Sequence, residues 1–523
     1  MQQRVESCFR HLGIAICLIK DSEGVSLLEA HVEGYFRRFD EPIHVVMVSK
    51  ARASKLGVSP EGKELIQALV GEGVGTERLT LIILPEAPSS AVLQTLPESW
   101  VPVSVDELES IAGDRDEMRR RVRFTRLVTE RVPLSKLSPF QVAYTVSGRM
   151  FFGRQDEVRT LLGSDRSYAI IGPRRIGKSS LVRVVEKTMR LEAGHRYGYG
   201  KNADRYLHNV AYVNCDLLSG DDIDHLSGKV LGSMRIEQGD SLYAQGRVSG
   251  SKKRVKRLTE FELLSKLVAV KYRKFTLVLD EVDTLLSVDR SRGWQVFRKL
   301  RGLSDAFQAR IILVGFMELY RSMGDNQFPF YGRLDPMPLP NLDKESTAKL
   351  LVDPLEELGV LFPRKSDVCA SVYHQTGGMP AIVQRLGQRL VSALDANDDR
   401  ESRVEVKQML VETVIREIVP LQDITHLFNE GMGPLEQLMV YFAAPPGVFK
   451  LDGFLDFLRS EKGKSLSIAR VENALDSLWL ANIFQEFVRH KVYGFSVPAF
   501  RSHILEYLET LGKGATGSLL DAL

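Results

Sequence analysis

The sequence contains the stretch Gly172-Pro-Arg-Arg-Ile-Gly-Lys-Ser-Ser180, which matches the pattern G-x-x-x-x-G-K-[ST]. The apolar run at 167–171 predicts a buried strand before it. Apolar residues at helical spacing follow from Leu181 to Met189. A strand, a glycine-rich loop and a helix in this order predict a phosphate-binding loop, because backbone N–H groups and the helix N-terminus then face the anion. A plain turn between strand and helix is the alternative.

This loop predicts ATP and Mg²⁺ as cofactors. The two glycines let the backbone close around phosphate oxygens, Lys178 would contact the β- and γ-phosphates, and the Ser179 hydroxyl would ligate Mg²⁺. No N-K-x-D element follows the core strands, so adenine is preferred over guanine. The predicted nucleotide-binding residues of the loop are Gly172, Pro173, Arg174, Arg175, Ile176, Gly177, Lys178, Ser179 and Ser180.

A second motif reads Phe275-Thr-Leu-Val-Leu-Asp-Glu-Val-Asp283. An apolar run that ends in two carboxylates predicts a buried strand with acids at its carboxyl edge, where an α/β sheet presents its ligands. We predict that Asp280 holds Mg²⁺ through water beside Ser179. Glu281 is predicted to orient and polarise the attacking water. A structural role is open for Asp283, and two surface acids after a strand are the alternative interpretation of the motif.

Length and composition are those of a globular protein with several domains. The chain has 523 residues, of which 44% are hydrophobic and 26% charged, and a formal net charge of +3. At ~150 residues per domain we expect three or four domains. The near balance of charge gives no argument for binding nucleic acid or anionic membranes through the whole chain.

Cysteine usage and the N-terminus predict a cytoplasmic protein. The four cysteines, Cys8, Cys17, Cys215 and Cys369, have no zinc-site spacing and are predicted to be free thiols in a reducing compartment. The N-terminus lacks the apolar region of a signal peptide, and no apolar run approaches the ~20 residues of a membrane span. We therefore expect no membrane partner.

Residues 1–112 predict a small α/β domain of unknown role. The pattern gives strands at 13–19, 44–48, 79–84 and 100–104 and helices at 27–39 and 61–70. Alternating strands and helices predict a parallel sheet, with Pro102 confining the last strand to an edge. An E-x-K pattern at 61–63 is only superficially like that of a nuclease, and a sensor, effector or docking module is preferred. An arginine-rich linker follows at 113–149, and a solvated helix face is preferred there over a phosphate contact.

The segment Phe151-Phe-Gly-Arg-Gln-Asp-Glu-Val158 shortly precedes the glycine loop. With the two motifs above, it resembles the STAND class of NTPases, the archaeal-type ATPases and the AAA+ replication initiators. The resemblance covers roughly residues 148–510. It implies that Phe152, Gly153 and Arg154 line the adenine side of the nucleotide pocket. A helix N-terminus with apolar anchors is the alternative.

The resemblance implies an α/β fold class with a P-loop NTPase core of the ASCE, AAA+-like type. The implied domains are the core at 150–340, a helical lid at 341–425, and a winged-helix-like domain with a tail at 426–523. In AAA+ relatives a polar residue just past the strand at 310–315 senses the γ-phosphate. This chain has Gly315-Phe-Met-Glu318 instead, which predicts slow turnover.

Two further segments carry the resemblance. Phe328-Pro-Phe-Tyr-Gly-Arg-Leu334 resembles the P-L-Y-G-R segment of archaeal-type ATPases. It implies that Arg333 is catalytic and stabilises charge in cis or towards a neighbouring subunit, since its fixed fork pairs with phosphate oxygens. A salt-bridged loop arginine is the alternative.

The segment His374-Gln-Thr-Gly-Gly-Met-Pro-Ala381 is similar to the lid motif of STAND proteins, in which the proline packs near the base. The candidate nucleotide contacts there are Gly377, Gly378 and Pro380, and Arg385 is a weaker sensor candidate. A plain connection between two helices is the alternative.

The C-terminal region predicts a winged helix. Helices are expected at 434–443, 451–459 and 468–480, strands of a hairpin at 482–488 and 492–497, and a flexible tail from 513. A winged helix makes DNA a candidate partner. The third helix would expose Arg470, Glu472, Asn473 and Asp476, however, and two acids among four weaken a fit against phosphate. The basic run at 251–258 lacks interleaved aromatics, and a solvated loop is preferred there.

We therefore predict an ATP-binding and ATP-hydrolysing switch of STAND or archaeal-type character, with Glu281, Lys178 and Arg333 as its catalytic residues. ATP with Mg²⁺ would clamp core, lid and winged helix in one arrangement, and hydrolysis to ADP would release it. The resemblance implies a signalling or defence role, self-association on ATP binding and a protein trigger. Two alternatives stay open: a DNA-binding AAA+ ATPase acting through the winged helix, and a nucleotide-binding scaffold with negligible turnover.

Overall fold

The computed structural model of the protein describes most of the chain. The described residues are 1–22, 25–32, 35–38, 42–53, 79–88, 96–140, 148–196, 209–217, 222–233, 259–271, 275–396, 405–418, 432–462, 466–487, 491–511 and 514–522. They form two compact units. The first combines Met1–Phe152 with Asp343–His374 and Ala381–Ile418, and the second combines Gly153–Leu342 with Gln375–Pro380 and Val419–Leu523.

The N-terminal part of the first unit is built on a five-stranded mixed sheet with the order β1-β2-β3-β4-β5. Its strands are β1 (Ala15–Ser22), β2 (Val25–His31), β3 (Ile43–Val48), β4 (Thr80–Leu84) and β5 (Trp100–Ser104). The β1-β2 and β2-β3 pairs are antiparallel, and the other two are parallel. The prediction of a parallel sheet is therefore wrong for the first two pairs, whereas the edge position of Pro102 in β5 is confirmed.

The predicted helix at 27–39 is wrong, because this segment begins with strand β2. Leu28 pairs with Leu18 of β1, and Leu27 pairs with Val46 of β3. The strand thus has backbone partners on both sides. Ladder hydrogen bonds and the burial of Leu28 outweigh the helical spacing of its apolar side chains.

The described residues include five helices that accompany this sheet. They are α1 (Gln2–His11), α2 (Lys50–Ala53), α3 (Val105–Ala112), α4 (Glu117–Thr129) and α5 (Leu134–Leu137). α3 begins at a capping box, in which Ser104 and Glu107 satisfy each other's backbone N–H groups. α4 contains the arginine run and buries Phe124 and Val128. Most of its arginines are exposed, as a solvated helix face requires.

The second unit contains a five-stranded sheet in which all four strand pairs are parallel. Its strands are β6 (Tyr168–Ile171), β7 (Asn209–Asn214), β8 (Phe275–Asp280), β9 (Arg310–Gly315) and β10 (Asp335–Pro338), in the order β10-β6-β9-β8-β7. β9 therefore lies between the strand that precedes the glycine loop and the strand that ends in the acids. This inserted strand and the glycine loop give a P-loop NTPase core of the ASCE, AAA+-like type, and the predicted fold class is confirmed.

In the part of this unit that the structure describes, seven helices accompany the sheet. They are α6 (Gln155–Gly163), α7 (Lys178–Arg196), α8 (Ile223–Ser233), α9 (Glu260–Lys271), α10 (Asp283–Ser291), α11 (Gln295–Phe307) and α12 (Met317–Met323). An aromatic group joins α11 to the loop before β10. Trp294 and Phe297 contact Phe328 and Phe330, with ring centroids between 5.0 and 6.5 Å apart. This packing fixes the loop that carries Arg333.

Among the described residues of the region after the core, there are four helices. They are α13 (Lys344–Glu357), α14 (Lys365–Thr376), α15 (Pro380–Asp395) and α16 (Gln408–Ile418). Asp343 caps α13 by accepting a hydrogen bond from Ser346 N. Most of this region belongs to the first unit, whereas the junction Gln375–Pro380 belongs to the second.

The C-terminal region has the predicted helices and hairpin. Its elements are α17 (Pro434–Ala443), β11 (Val448–Lys450), α18 (Leu451–Lys462), α19 (Ile468–Leu480), β12 (Phe484–Phe487), β13 (Val492–Phe495), α20 (Pro498–Leu511) and α21 (Gly514–Ala522). The strands form an antiparallel sheet in the order β11-β13-β12. The predicted flexible tail is wrong, because α21 packs against α17 and buries Leu520.

Some predicted features lie outside the described residues. They are the helix at 61–70 with its E-x-K pattern, the basic run at 251–258, and residues 488–490 of the hairpin. All four cysteines are free thiols, as predicted. Within the described ranges, no helix combines the length and the apolar character needed to cross a membrane.

Candidate functional site

The glycine loop connects the carboxyl end of β6 to the first turn of α7. Gly177 has a φ of +100°, a backbone conformation that favours glycine. A Cβ atom on Gly172 would lie 3.0 Å from Cγ2 of Ile176, so the loop is tightly folded there. Arg174 and Arg175 are exposed on the loop. The structure therefore has the strand, loop and helix that the sequence predicts.

Lys178 begins α7 and is turned back onto its own loop. Its side chain is only 4% exposed, and Nζ donates hydrogen bonds to the carbonyl oxygens of Gly172 (2.8 Å) and Pro173 (3.1 Å). Burial lowers the pKa of Lys178, and the carboxylates that follow β8 act in the opposite direction. An ammonium group has three N–H donors, so one is left beyond these two contacts.

Asp280 and Glu281 lie at the carboxyl end of β8. Asp280 is fully buried; its Oδ1 accepts a hydrogen bond from Glu281 N (3.0 Å) and its Oδ2 accepts one from the Tyr212 hydroxyl (2.6 Å). Glu281 has a φ of +52°, in the left-handed region that non-glycine residues rarely adopt. Burial raises the pKa of Glu281, whereas Lys178 acts to lower it. Strain and a perturbed carboxyl group together are typical of functional positions.

The residues at this edge fit a nucleotide with Mg²⁺. Ser179, partly exposed in the first turn of α7, and Asp280 offer the hard oxygen ligands that Mg²⁺ prefers. No group of three or more His, Cys, Asp or Glu side chains that could hold a metal occurs among the described residues. This is expected for Mg²⁺, which usually takes one or two carboxylates and completes its shell with phosphate and water.

The turn after β9 has a different construction. The Asp283 carboxylate accepts hydrogen bonds from the backbone N–H groups of Phe316 (2.8 Å), Glu318 (2.9 Å) and Leu319 (3.2 Å). It therefore caps α12. A Cβ atom on Gly315 would lie 2.6 Å from Asp283 Oδ2. Asp283 therefore occupies the space that a side chain on residue 315, the last residue of β9, would need.

The residues predicted for the adenine side have protein partners. Arg154 is 4% exposed, and its guanidinium group donates to the Pro340 carbonyl oxygen and the Glu157 carboxylate. Gly153 has a φ of +69°. In the first unit, the guanidinium carbon of Arg37 lies 5.2 Å from the centroid of the Phe152 ring. Nucleotide contact by Phe152, Gly153 and Arg154 stays a prediction.

Arg333 forms a surface ion pair. Its Nη1 donates to Oδ1 of Asp305, and both side chains are nearly half exposed. This is the salt-bridged loop arginine that the sequence left as the alternative. A catalytic role for Arg333 would require it to exchange this partner for phosphate, which an exposed pair allows at small cost.

The two glycines of the junction at 375–380 have a packing role. Gly377 and Gly378 have φ values of +58° and +73°. A Cβ atom on Gly377 would lie 1.9 Å from the carbonyl oxygen of Ser496, so only glycine fits there. The Gly378 carbonyl oxygen accepts a hydrogen bond from Leu342 N (2.9 Å). Pro380 is the first residue of α15, and its contact with a nucleotide base stays a prediction.

The C-terminal region contacts the core through the end of α19. Leu480 belongs to the same buried cluster as Leu319 of α12. Asn482, which has a φ of +53°, donates from Nδ2 to the Leu339 carbonyl oxygen (3.2 Å). Leu339 in turn donates from its N–H to Ile171 O (2.8 Å), directly before the glycine loop. Neither this connection nor the Tyr212 contact was found from the sequence; the single tyrosine of strand β7 is the signal for the latter.

Comparison with known proteins yields structural likeness only, as neither a protein-family model nor a curated protein sequence matches the chain. It is similar to a Walker-type ATPase of Pyrococcus abyssi, at 17% identity and a TM-score of 0.47, over 70% of this chain and 99% of that one. The ORC2 protein of Aeropyrum pernix, determined as ADPNP–ADP complexes, is similar at 13% identity and a TM-score of 0.45, over 71% of this chain and 94% of that one. The ORC1 protein of the same organism, in complex with DNA, is similar at 14% identity and a TM-score of 0.35, over 69% of this chain and 95% of that one. Identities and scores this low assign no activity or ligand to this chain.

Proposed function

We propose that this protein is a molecular switch that binds and hydrolyses ATP. The observation that carries the proposal is the common location of Lys178, Asp280 and Glu281 at the carboxyl edge of one parallel sheet. Two of these side chains are almost fully buried, and the third has a strained backbone and a raised pKa. Charged side chains that are fixed at the edge where an α/β sheet binds its ligands are suited to phosphoryl transfer, which depends on positioning and on stabilising charge.

Each residue at this edge of the sheet would have a separate role in binding or hydrolysing ATP. The loop amides, the α7 N-terminus and Lys178 would bind the phosphates, and Ser179 and Asp280 would hold Mg²⁺, which supplies neutralisation of charge on the phosphates when bound. Glu281 would accept a proton from the attacking water and orient it. Arg333 would stabilise charge, most simply on a nucleotide held by a second copy of the chain.

A route from the nucleotide site to the C-terminal region supports the switch. Ile171 ends the strand before the glycine loop and accepts the N–H of Leu339, whose carbonyl oxygen accepts Asn482 Nδ2. A change in the loop on ATP binding would therefore reach Asn482, shortly after α19, through two hydrogen bonds. The STAND or archaeal-type character, a signalling or defence role and a protein trigger belong to this proposal.

A DNA-dependent ATPase is the second candidate. The order of elements from α17 to β13, with three helices and a three-stranded antiparallel sheet, supports a winged helix. The exposed face of α19 argues against phosphate contact, because it includes Glu472 and Asp476 beside Arg470. The switch is therefore preferred, and a scaffold with negligible turnover is the remaining alternative, favoured only by the turn at Gly315.

Nucleotide binding by Lys178→Ala tests the site. Removing the ammonium should abolish binding of a fluorescent ATP analogue, measured by fluorescence anisotropy. Lys365→Ala is the matched control, since Lys365 pairs with Glu356 on an exposed surface and should bind like wild type. Tight binding by Lys178→Ala would contradict the assignment of the glycine loop.

A further inference from the structure

Tyr212 contacts the candidate metal ligand from the neighbouring strand. β7 and β8 are parallel, with Tyr212 paired to Val278 and Asn214 paired to Asp280. The Tyr212 side chain reaches along this pair and donates its hydroxyl proton to Asp280 Oδ2 at 2.6 Å. A phenol bound to an ionised carboxylate makes a charge-assisted hydrogen bond, which is stronger and more directional than one between neutral groups.

This bond settles the orientation of the Asp280 carboxylate. The other oxygen, Oδ1, already accepts the N–H of Glu281 at 3.0 Å, so each oxygen has one protein donor. Because a carboxylate oxygen has two lone pairs, each keeps one for water or metal. With both oxygens bound from the protein side, the plane of the group cannot rotate freely, and the remaining lone pairs have fixed directions.

The phenol ring is itself held by the helix that carries Lys178. The guanidinium carbon of Arg183 lies 3.4 Å from the centroid of the Tyr212 ring. Arg183 donates to Glu186 (2.9 Å), which also accepts from Arg190 (2.7 Å). Arg190 bonds to the carbonyl oxygen of Val210 in β7 (3.1 Å). The ring therefore lies between α7 and β8, the two elements that supply the candidate Mg²⁺ ligands.

We propose that Tyr212 is a positioning residue that orients Asp280 for Mg²⁺ bound with ATP. This inference rests on the proposed function. Partners of a metal ligand beyond the first shell commonly change metal affinity by about 10- to 100-fold when they are removed. The contacts of Tyr212 described above are with Asp280 and Arg183 and not with the glycine loop, so we expect its hydroxyl to affect Mg²⁺ dependence alone.

The test is a Mg²⁺ titration of nucleotide binding by Tyr212→Phe, which keeps the ring under Arg183 and removes only the hydroxyl. A fluorescent ATP analogue is bound first in chelator and then at increasing Mg²⁺. We expect the half-saturating Mg²⁺ concentration to rise about tenfold or more, with the affinity in chelator unchanged. Tyr507→Phe, on the exposed side of α20, is the control and should titrate like wild type.

A double variant separates positioning from general packing. In an Asp280→Asn background, the Tyr212→Phe change should cause no further shift in Mg²⁺ dependence, because the carboxylate that it orients is absent. An equal loss of affinity in chelator and in Mg²⁺, or additive shifts in the double variant, would make Tyr212 a packing residue and overturn the inference. If wild type binds the analogue and Tyr212→Phe titrates like it, this inference alone fails. If wild type binds no analogue at all, the proposed function fails as well.

Discussion

Two turns at the same edge of the core sheet use acidic residues in opposite ways. After β8, Asp280 and Glu281 keep acceptor capacity, and the second has a strained backbone and a raised pKa. At the turn after β9, three backbone N–H groups donate to the carboxylate of Asp283, which reaches across from the neighbouring β8 turn and occupies the space that a side chain on residue 315 would need. The first turn is suited to binding and chemistry, and the second is suited to holding α12.

The second of these turns lies where the sequence lacks a polar residue that could sense the γ-phosphate. A side chain on residue 315 would collide with the Asp283 carboxylate, which caps α12, so the position of α12 depends on glycine at the end of β9. We infer that the proposed hydrolysis depends on Asp280 and Glu281 within this part of the sheet, and not on Asp283. The proposed switch is therefore expected to turn over slowly, which would suit a protein that must persist in its ATP state.

The largest expected effect is that of Glu281→Gln. An amide cannot accept the proton of the attacking water, so phosphate release should fall by about 100-fold or more while ATP affinity is unchanged. Glu345→Gln, on an exposed face of α13, is the control for loss of a carboxylate and should hydrolyse like wild type. Wild-type turnover by Glu281→Gln would remove the functional distinction between the two turns.

A smaller effect is expected on stability at the β9 turn. Gly315→Ala should lower the free energy of unfolding by about 1–3 kcal/mol, because its methyl group would collide with the Asp283 carboxylate and a packed turn must shift. Urea unfolding followed by circular dichroism measures this change. Gly302→Ala is the matched control, since that helical glycine has open space around it and alanine there should be neutral or stabilising.

The same turn allows a sharper version of this experiment. In an Asp283→Ala background, which has already lost the cap, Gly315→Ala should cost less than it does in wild type, because the colliding carboxylate is absent. Equal costs in both backgrounds would show that Asp283 does not occupy the space of a side chain on residue 315.

The smallest effect on stability is expected from Arg333→Ala. The exposed pair with Asp305 contributes below about 1 kcal/mol, so the folded state should be almost unaffected. Phosphate release should nevertheless fall, and the fall should be seen only at protein concentrations at which wild-type turnover rises through self-association. Asp305→Ala breaks the same pair but keeps the arginine, and should retain hydrolysis. Equal losses in both variants would give Arg333 a structural role only.

The sequence predicts the core well because its two motifs combine local pattern with chemistry. An apolar run followed by glycines and Lys178, or by Asp280 and Glu281, determines a strand, its end and its edge of the sheet at once. The segment at 27–39 failed for the opposite reason. Its apolar spacing allows a helix, and only the pairing of β2 with two distant strands decides otherwise.

Sequence patterns could not predict side-chain contacts between distant segments of the chain. The Tyr212 hydroxyl meets Asp280 because β7 and β8 are neighbours in a certain register, and no spacing along the chain reveals that register. The collision of residue 315 with Asp283 depends likewise on two adjacent strand ends. The glycine at 377 was noted as part of a motif, but its close approach to Ser496 needed the structure.

The most direct test of the central claim is ATP hydrolysis by the purified protein, measured as phosphate release with and without duplex DNA at low and high salt. The switch predicts slow turnover that is lost in Lys178→Ala and is the same with and without DNA at both salt concentrations. No turnover above that of Lys178→Ala would contradict hydrolysis at this edge. Turnover that rises with DNA and loses that rise at high salt would contradict the switch and favour a DNA-dependent ATPase.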